Sequence, residues 1–252
     1  MTDTLIHVVL LITLPPLLPG VINKTKAWFA GRKGPSVLQL YYDLIKLMRK
    51  GMVISTTTTW IFIAGPIVTL AAVLLAGMLM PISGFKAPIA FAGDLILFAY
   101  LFGLARFFTT AAAMDTGSPF EGMGAAREVT FACLSEPALF FAFLVMAKLS
   151  GSLMLTCMLH TPAGGFSSAM VAPLILVSIG LFVVLLAESC RIPVDDPNTH
   201  LELTMIHEVM VLDHGGPDFA FVLCGAALKM WILGAFLVGL LAPVRTGNPL
   251  LD

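Results

Sequence analysis

Six stretches of about 20 residues with almost no charged side chains run through this sequence, and they restrict its fold more than any other feature. At 1.5 Å per residue, a helix of that length crosses a hydrocarbon core of ~30 Å. Inside lipid every backbone amide needs an internal partner, so only helices and closed barrels can span it. The period-two alternation with regular turns that marks a membrane barrel is absent. The chain is therefore expected to be all-α, a polytopic transmembrane helix bundle. Its spans are expected near residues 4–23, 59–81, 93–113, 128–150, 170–190 and 219–241, within one integral membrane domain covering 1–252. Composition agrees, with 58% apolar and 12% charged residues and a mean hydropathy of +0.97. A net charge of −1 points to no nucleic acid.

Pro15, Pro16 and Pro19 interrupt the first stretch. It has neither the basic start nor the small-residue cleavage site of a signal peptide, and it is read as a retained helix. Lys24, Lys26, Arg32, Lys33, Lys46, Arg49 and Lys50 all fall between the first two spans, whereas the loop near 82–92 has only Lys86 and that near 151–169 has no lysine or arginine. By the positive-inside rule the 24–58 loop is cytoplasmic. The N-terminus is then external, and segments 114–127 and 191–218 are cytoplasmic, in a multi-pass membrane protein.

Carboxylates crowd the same side. Asp115, Glu121, Glu128, Glu136, Glu188, Asp195, Asp196, Glu202, Glu208, Asp213 and Asp218 are eleven of the fifteen acidic residues, and the stretch from Leu186 to Glu208 sets several of them against the end of an apolar run. Glu121, Asp213 and Asp218 read as a solvated loop surface. Glu136 lies inside an apolar stretch and Glu188 closes another, where an ionisable group is costly and marks proton carriage or coupling to a conformational switch. Arg106 and Lys229, also within spans, suit the role of counter-ions; a static salt bridge that fixes helix packing is the alternative.

The basic loop at 24–58 carries its own helix signal. Lys33-Gly34-Pro35-Ser36 is a turn, after which Val37, Leu40, Tyr41, Leu44, Ile45 and Leu47 recur at helical spacings among Gln39, Asp43, Lys46, Arg49 and Lys50. This pattern suits an amphipathic helix along the membrane surface, serving as an anchor at anionic headgroups, a docking surface for a peripheral protein, or a cavity wall.

No phosphate-binding glycine loop, zinc-binding helix motif or serine nucleophile elbow is present. Cys133, Cys157, Cys190 and Cys224 are dispersed without a Cys-x-x-Cys pair, which argues against an iron–sulfur cluster held by this chain and for small packing residues. His200, His207 and His214 recur every seven residues, which would set two or three on one helical face with Glu202 and Glu208 nearby. Because Gly215, Gly216 and Pro217 break the pattern, proton relay or hydrogen bonding is expected there rather than a metal.

Three separated motifs carry a resemblance. The first runs from Arg32-Lys33-Gly34-Pro35 through Gln39 and Asp43 to Lys46-Leu47. The second joins Ala105-Arg106-Phe107-Phe108, Asp115-Thr116-Gly117-Ser118-Pro119-Phe120, Gly124-Ala125-Ala126-Arg127-Glu128 and Glu136-Pro137. The third is Glu188-Ser189-Cys190-Arg191-Ile192-Pro193-Val194-Asp195 with Glu202-Leu203. Together they make the chain similar, from about residue 20 to 235, to a membrane-anchor family with two branches. One branch serves the energy-converting membrane-bound [NiFe] hydrogenases of the formate hydrogenlyase type; the other serves respiratory complex I. The direct step from Val37 to Leu38-Gln39 and the form of the 115–120 loop resemble the hydrogenase branch.

The resemblance implies a subunit without redox chemistry of its own, in an oxidoreductase complex. It would dock the peripheral electron-transfer arm and couple redox chemistry to proton or sodium translocation. The implied partners are the hydrogenase large and small subunits, an iron–sulfur subunit and antiporter-like membrane subunits, with the NiFe centre and iron–sulfur clusters held by those partners and no cofactor or metal bound by this chain. Glu188, Arg191, Asp195 and Glu202 match the family's acidic loop, Glu136 and Arg127 its charged helix, Arg32 and Asp43 its first loop, and Lys229 a lysine of the hydrogenase type. The expected coupling residues are Glu136, Glu188, Asp195, His200, Glu202, His207, Glu208, Arg106 and Lys229, and those for arm docking or the cavity are Arg32, Asp43, Asp115, Arg127 and Arg191. Asn198 and His200 stand where the complex I branch carries further glutamates, a departure that implies a different protonation route or a different branch of the hydrogenases. Family members also have more spans than six, so the last helices are expected to be absent or supplied by another chain.

Overall fold

The computed structural model describes residues 2–82, 85–159, 168–195 and 205–241. Among these, ten helices follow one another: α1 (Thr2–Thr13), α2 (Leu17–Phe29), α3 (Gln39–Met48), α4 (Trp60–Leu79), α5 (Asp94–Asp115), α6 (Pro119–Ser150), α7 (Leu155–Leu159), α8 (Ser168–Glu188), α9 (His207–Met210) and α10 (Gly216–Leu241). No strand forms among the described residues beyond an isolated bridge between Ile82 and Phe85. Five of these helices are long and apolar enough to cross a membrane, and the bent pair of α1 and α2 makes six if it is one span. The chain is a multi-pass membrane helix bundle.

Proline explains the bend. Pro15 and Pro16 remove two backbone donors and push the residue before them out of helical geometry, and the axes of α1 and α2 differ by 42°. Proline also accounts for the main boundary correction. α6 begins at Pro119, not near 128, because Pro119 takes the first helical turn with Ser118 extended ahead of it (ψ 129°). The charged stretch expected to be loop is therefore helical through Arg127. At 32 residues, α6 is about 48 Å long, well beyond a hydrocarbon core of ~30 Å.

α4 and α5 form the closest antiparallel pair. A Cβ on Gly65 would lie 2.6 Å from the Ala112 Cβ, so only glycine permits that approach. The Thr69 hydroxyl is 3.1 Å from the Ala105 carbonyl and 3.0 Å from the Thr109 hydroxyl, knitting the pair at mid-depth. Asp115 closes one end of it, accepting the Thr59 backbone N–H at 2.7 Å and its hydroxyl at 2.9 Å. α10 packs against α4, and α6 against α8.

The connections sort to two ends. One end holds α3, the α5–α6 turn and residues 189–195 and 205–215; the other holds residues 80–82 and 85–93 and α7, where buried Asp94 accepts the Leu155 N–H at 2.8 Å. Towards this second end the core is aromatic: Phe98 meets Phe102, Phe143 and Phe236 at ring separations of 5.0, 6.0 and 6.4 Å.

Several expectations need correction. Glu121 and Asp218 are not solvated loop residues; both are buried, at 1% and 4% exposure, and only Asp213 of that trio is exposed. The early start of α6 tucks Glu121 against the 205–216 segment, where it accepts the Asp213 N–H at 3.1 Å. Cys133 and Cys157 are exposed rather than packed inside, while Cys190 and Cys224 are half-buried. His207 and His214 share no helical face, because α9 ends at Met210 and His214 lies in the turn before α10. Ile45 points outward from α3, away from the face of Leu40, Tyr41, Leu44 and Leu47. Asp196, His200 and Glu202 lie outside the described residues.

Candidate coupling site

α6 sets the site's geometry. Glu128, Ser135 and Glu136 stand seven and eight residues apart, two helical turns, and so share one side of the helix towards α5 and α8. Opposite them α5 presents Arg106, which is 8% exposed. Its guanidinium is a planar fork able to meet several carboxylates at once. It donates to Glu136 and to Glu188, and its Nε lies 3.4 Å from Glu128 Oε1.

Glu188, the last residue of α8, is buried and fully engaged. One carboxylate oxygen takes Arg106 and, at 2.8 Å, the Ser135 hydroxyl; the other is paired with Lys229 Nζ of α10 at 2.7 Å. Four helices are thus tied by one ionic cluster. Among the described residues it unites Arg106, Glu128, Glu136, Glu188 and Lys229.

A cavity of about 190 Å³ adjoins the cluster. Arg106, Glu128, Glu188, Cys190, Arg191, His207 and Lys229 form its polar side, and Pro19, Leu40, Val73, Val222 and Met230 its apolar side. The Arg191 guanidinium reaches Met230 Sδ at 3.6 Å. The Cys190 thiol is 3.8 Å from Glu128 Oε2. Burial, reinforced by the neighbouring Glu128 carboxylate, raises the Cys190 pKa and keeps the thiol protonated. Burial likewise lowers the His207 pKa, so its imidazole is held neutral at the cavity wall.

The other expected site residues divide by their contacts. Asp195 does not face the cluster; its two carboxylate oxygens accept the backbone N–H groups of Ile206 and His207, each at 3.2 Å, and so clasp the ends of the acidic loop. Asp115 is spent on Thr59. Glu208 is exposed and lines no part of the cavity, Arg127 is half-buried, Arg32 is exposed, and Asp43 accepts from Gln39 Nε2 at 3.0 Å. Glu136 departs from its expected burial. Its side chain is 45% exposed, because it sits at the edge of the α6 face and reaches inward only through Arg106.

Sequence reasoning does not single out Glu128, Ser135 or Cys190 as site residues. The Glu128–Ser135–Glu136 spacing is the signal for the first two, hidden when Glu128 is read as the first residue of its span. Among the described residues no group of three or more His, Cys, Asp or Glu could hold a metal ion, and the four cysteines stand apart. The arrangement suits charge hand-over: Arg106 touches two carboxylates at the cavity, of which Glu188 is buried between helices, and a third, Glu136, at the bundle's surface.

The chain is similar to Hydrogenase-4 component C of Escherichia coli (strain K12), 33% identical over 239 residues that cover 95% of this chain and 74% of that protein. It is similar to formate hydrogenlyase subunit 4 of the same organism, 31% identical with 95% and 76% covered. The H component of the NADH-quinone oxidoreductase of Rubrobacter xylanophilus is 26% identical, with 90% and 70% covered. The fold also matches a chain of the membrane-bound sulfane sulfur reductase, an archaeal respiratory membrane complex, with a TM-score of 0.80, 23% identity, and 99% and 80% of the two chains covered. The family model described as NADH dehydrogenase matches residues 2–244, and this protein belongs to that family.

Proposed function

We propose that this chain is the membrane subunit of an energy-converting [NiFe] hydrogenase complex of the formate hydrogenlyase kind, docking the peripheral arm and coupling its redox chemistry to proton or sodium translocation. The observation that carries the reading is the Arg106 cluster, which joins a cavity at one end of the bundle to Glu136 on the bundle's side. The hydrogenase and formate hydrogenlyase relatives set the kind of complex.

In this reading the end with α3, the α5–α6 turn and residues 189–195 and 205–215 is cytoplasmic, in a prokaryotic inner membrane, with the N-terminus external. Arg127 and residues 189–195 and 205–215 face the arm, with Arg32 and Asp43 at the margin. Asp195 positions His207, Asp115 fixes the α4 and α5 ends, and His200, Glu202 and Glu208 belong to the acidic loop. The NiFe centre and iron–sulfur clusters reside in the hydrogenase large and small subunits and an iron–sulfur subunit, and this chain does no electron transfer itself. A change of charge in the docked arm displaces residues 189–195, just beyond Glu188. Arg106 and Lys229 then redistribute among Glu128, Glu188 and Glu136, and low local dielectric makes that redistribution strong. Antiporter-like subunits take up the change at Glu136.

The test is purification of the chain with its native partners in mild detergent, followed by measurement of bound nickel and of hydrogen evolution from a reduced donor. Nickel with hydrogen evolution is the expected result. Electron transfer to a quinone without nickel would instead establish the complex I reading, which the partly apolar lining of the cavity also suits.

A further inference from the structure

α3 has two apolar faces, and the bundle uses only one. Leu40, Tyr41, Leu44 and Leu47 turn towards the chain, with Leu40 on the cavity wall and the Tyr41 hydroxyl donating to the Thr13 carbonyl. Leu38, Tyr42, Ile45 and Met48 form a second stripe, between 46% and 57% exposed. Lys46, Arg49 and Lys50 flank it, all exposed. A helix that already seals its own bundle yet keeps an apolar stripe beside a row of cations suits a medium that is apolar below and anionic above.

Two span ends set the depth of this face. Trp28 and Phe29 close α2, 74% and 80% exposed with their rings 5.0 Å apart, and Trp60 opens α4, 70% exposed. Indole rings at the ends of spans mark the boundary between hydrocarbon and headgroups. Between these landmarks, residues 24–58 contain seven lysines and arginines against one acidic residue, Asp43, which is already engaged by Gln39. We propose that the outer face of α3, framed by the ends of α2 and α4, binds anionic phospholipid: apolar side chains in the acyl layer, Lys46, Arg49 and Lys50 on the phosphates. This goes beyond the coupling reading and does not depend on it.

Tryptophan quenching tests it without disturbing the charges. The native complex carrying Trp231→Phe, which leaves Trp28 and Trp60 in this chain, is placed in nanodiscs of phosphatidylcholine and phosphatidylglycerol with one or the other lipid brominated, and compared with a complex that also lacks Trp28 and Trp60. Brominated phosphatidylglycerol should quench Trp28 and Trp60 more strongly than brominated phosphatidylcholine, and high salt should remove the advantage. Equal quenching by both lipids, or none because a partner protein covers the face, would overturn the proposal. In a second measurement, K46Q/R49Q/K50Q should lower phosphatidylglycerol enrichment around the purified complex by about fivefold per charge removed (~1 kcal/mol each). Unchanged enrichment would also overturn it.

Discussion

The two ends of this bundle are held together in opposite ways. Around Phe98, Phe102, Phe143 and Phe236 the helices meet through aromatic rings and aliphatic side chains, with no charged partner in the contact among the described residues. Around Arg106 the helices meet through two cations and three carboxylates. The first arrangement is rigid, because close-packed rings have one good fit. The second can exchange partners at little change in total contact, because Arg106 already touches three acids. The difference teaches which half can carry a signal: the aromatic half sets the frame against which the ionic half can shift.

Substitutions separate the two. The largest expected effect comes from Arg106→Leu, which leaves buried Glu188 with Lys229 and the Ser135 hydroxyl and removes the cation that holds Glu136; stability should fall by about 3–5 kcal/mol, with ion translocation lost. Denaturation of the purified complex and pumping in vesicles would measure both. Phe98→Ala should cost a similar ~3–5 kcal/mol through the cavity it leaves, but the assembled fraction should translocate as many ions per electron pair as the native protein. Equal loss of coupling in both variants would erase the distinction. Thr59→Ala, which removes the side-chain cap at the start of α4 and one of its bonds to Asp115, should cost only ~1 kcal/mol and leave coupling intact.

The last effect vanishes at neutral pH and emerges only on acidification. His214 is buried and stacked on Phe62 with ring centroids 4.0 Å apart, and burial lowers its pKa from 6.5 to about 4. The folded chain therefore binds this proton less readily than the unfolded chain does. His214 costs nothing above pH 6.5 and withdraws stability as pH falls from there, with the full cost reached below about 4. His214→Gln should flatten that part of the curve of thermal stability against pH; an unchanged curve would remove His214 from the account.

Much of this is legible in the sequence, for physical reasons that also explain what is not. The apolar runs expose the spans because lipid admits few other solutions. Charges inside those runs, Arg106, Glu188 and Lys229, stand out because lipid penalises them. The burial of Glu121 and Asp218 is hidden because polar sequence does not distinguish a solvated loop from a helix start packed beneath another segment. Glu136 reads as buried and is not, since hydropathy gives depth along a helix but not the angle around it. Asp195 looks like one more member of an acidic loop, and only coordinates reveal that both of its oxygens hold backbone N–H groups.

Glu136 supplies the most direct test. It is the cluster's half-exposed member, so Glu136→Gln should leave the buried Arg106–Glu188–Lys229 set and the fold intact. Hydrogen evolution and ion translocation would be measured together in inverted membrane vesicles carrying the variant complex. The account predicts hydrogen evolution close to the native rate with translocation abolished. Translocation per electron pair equal to that of the native complex would contradict it.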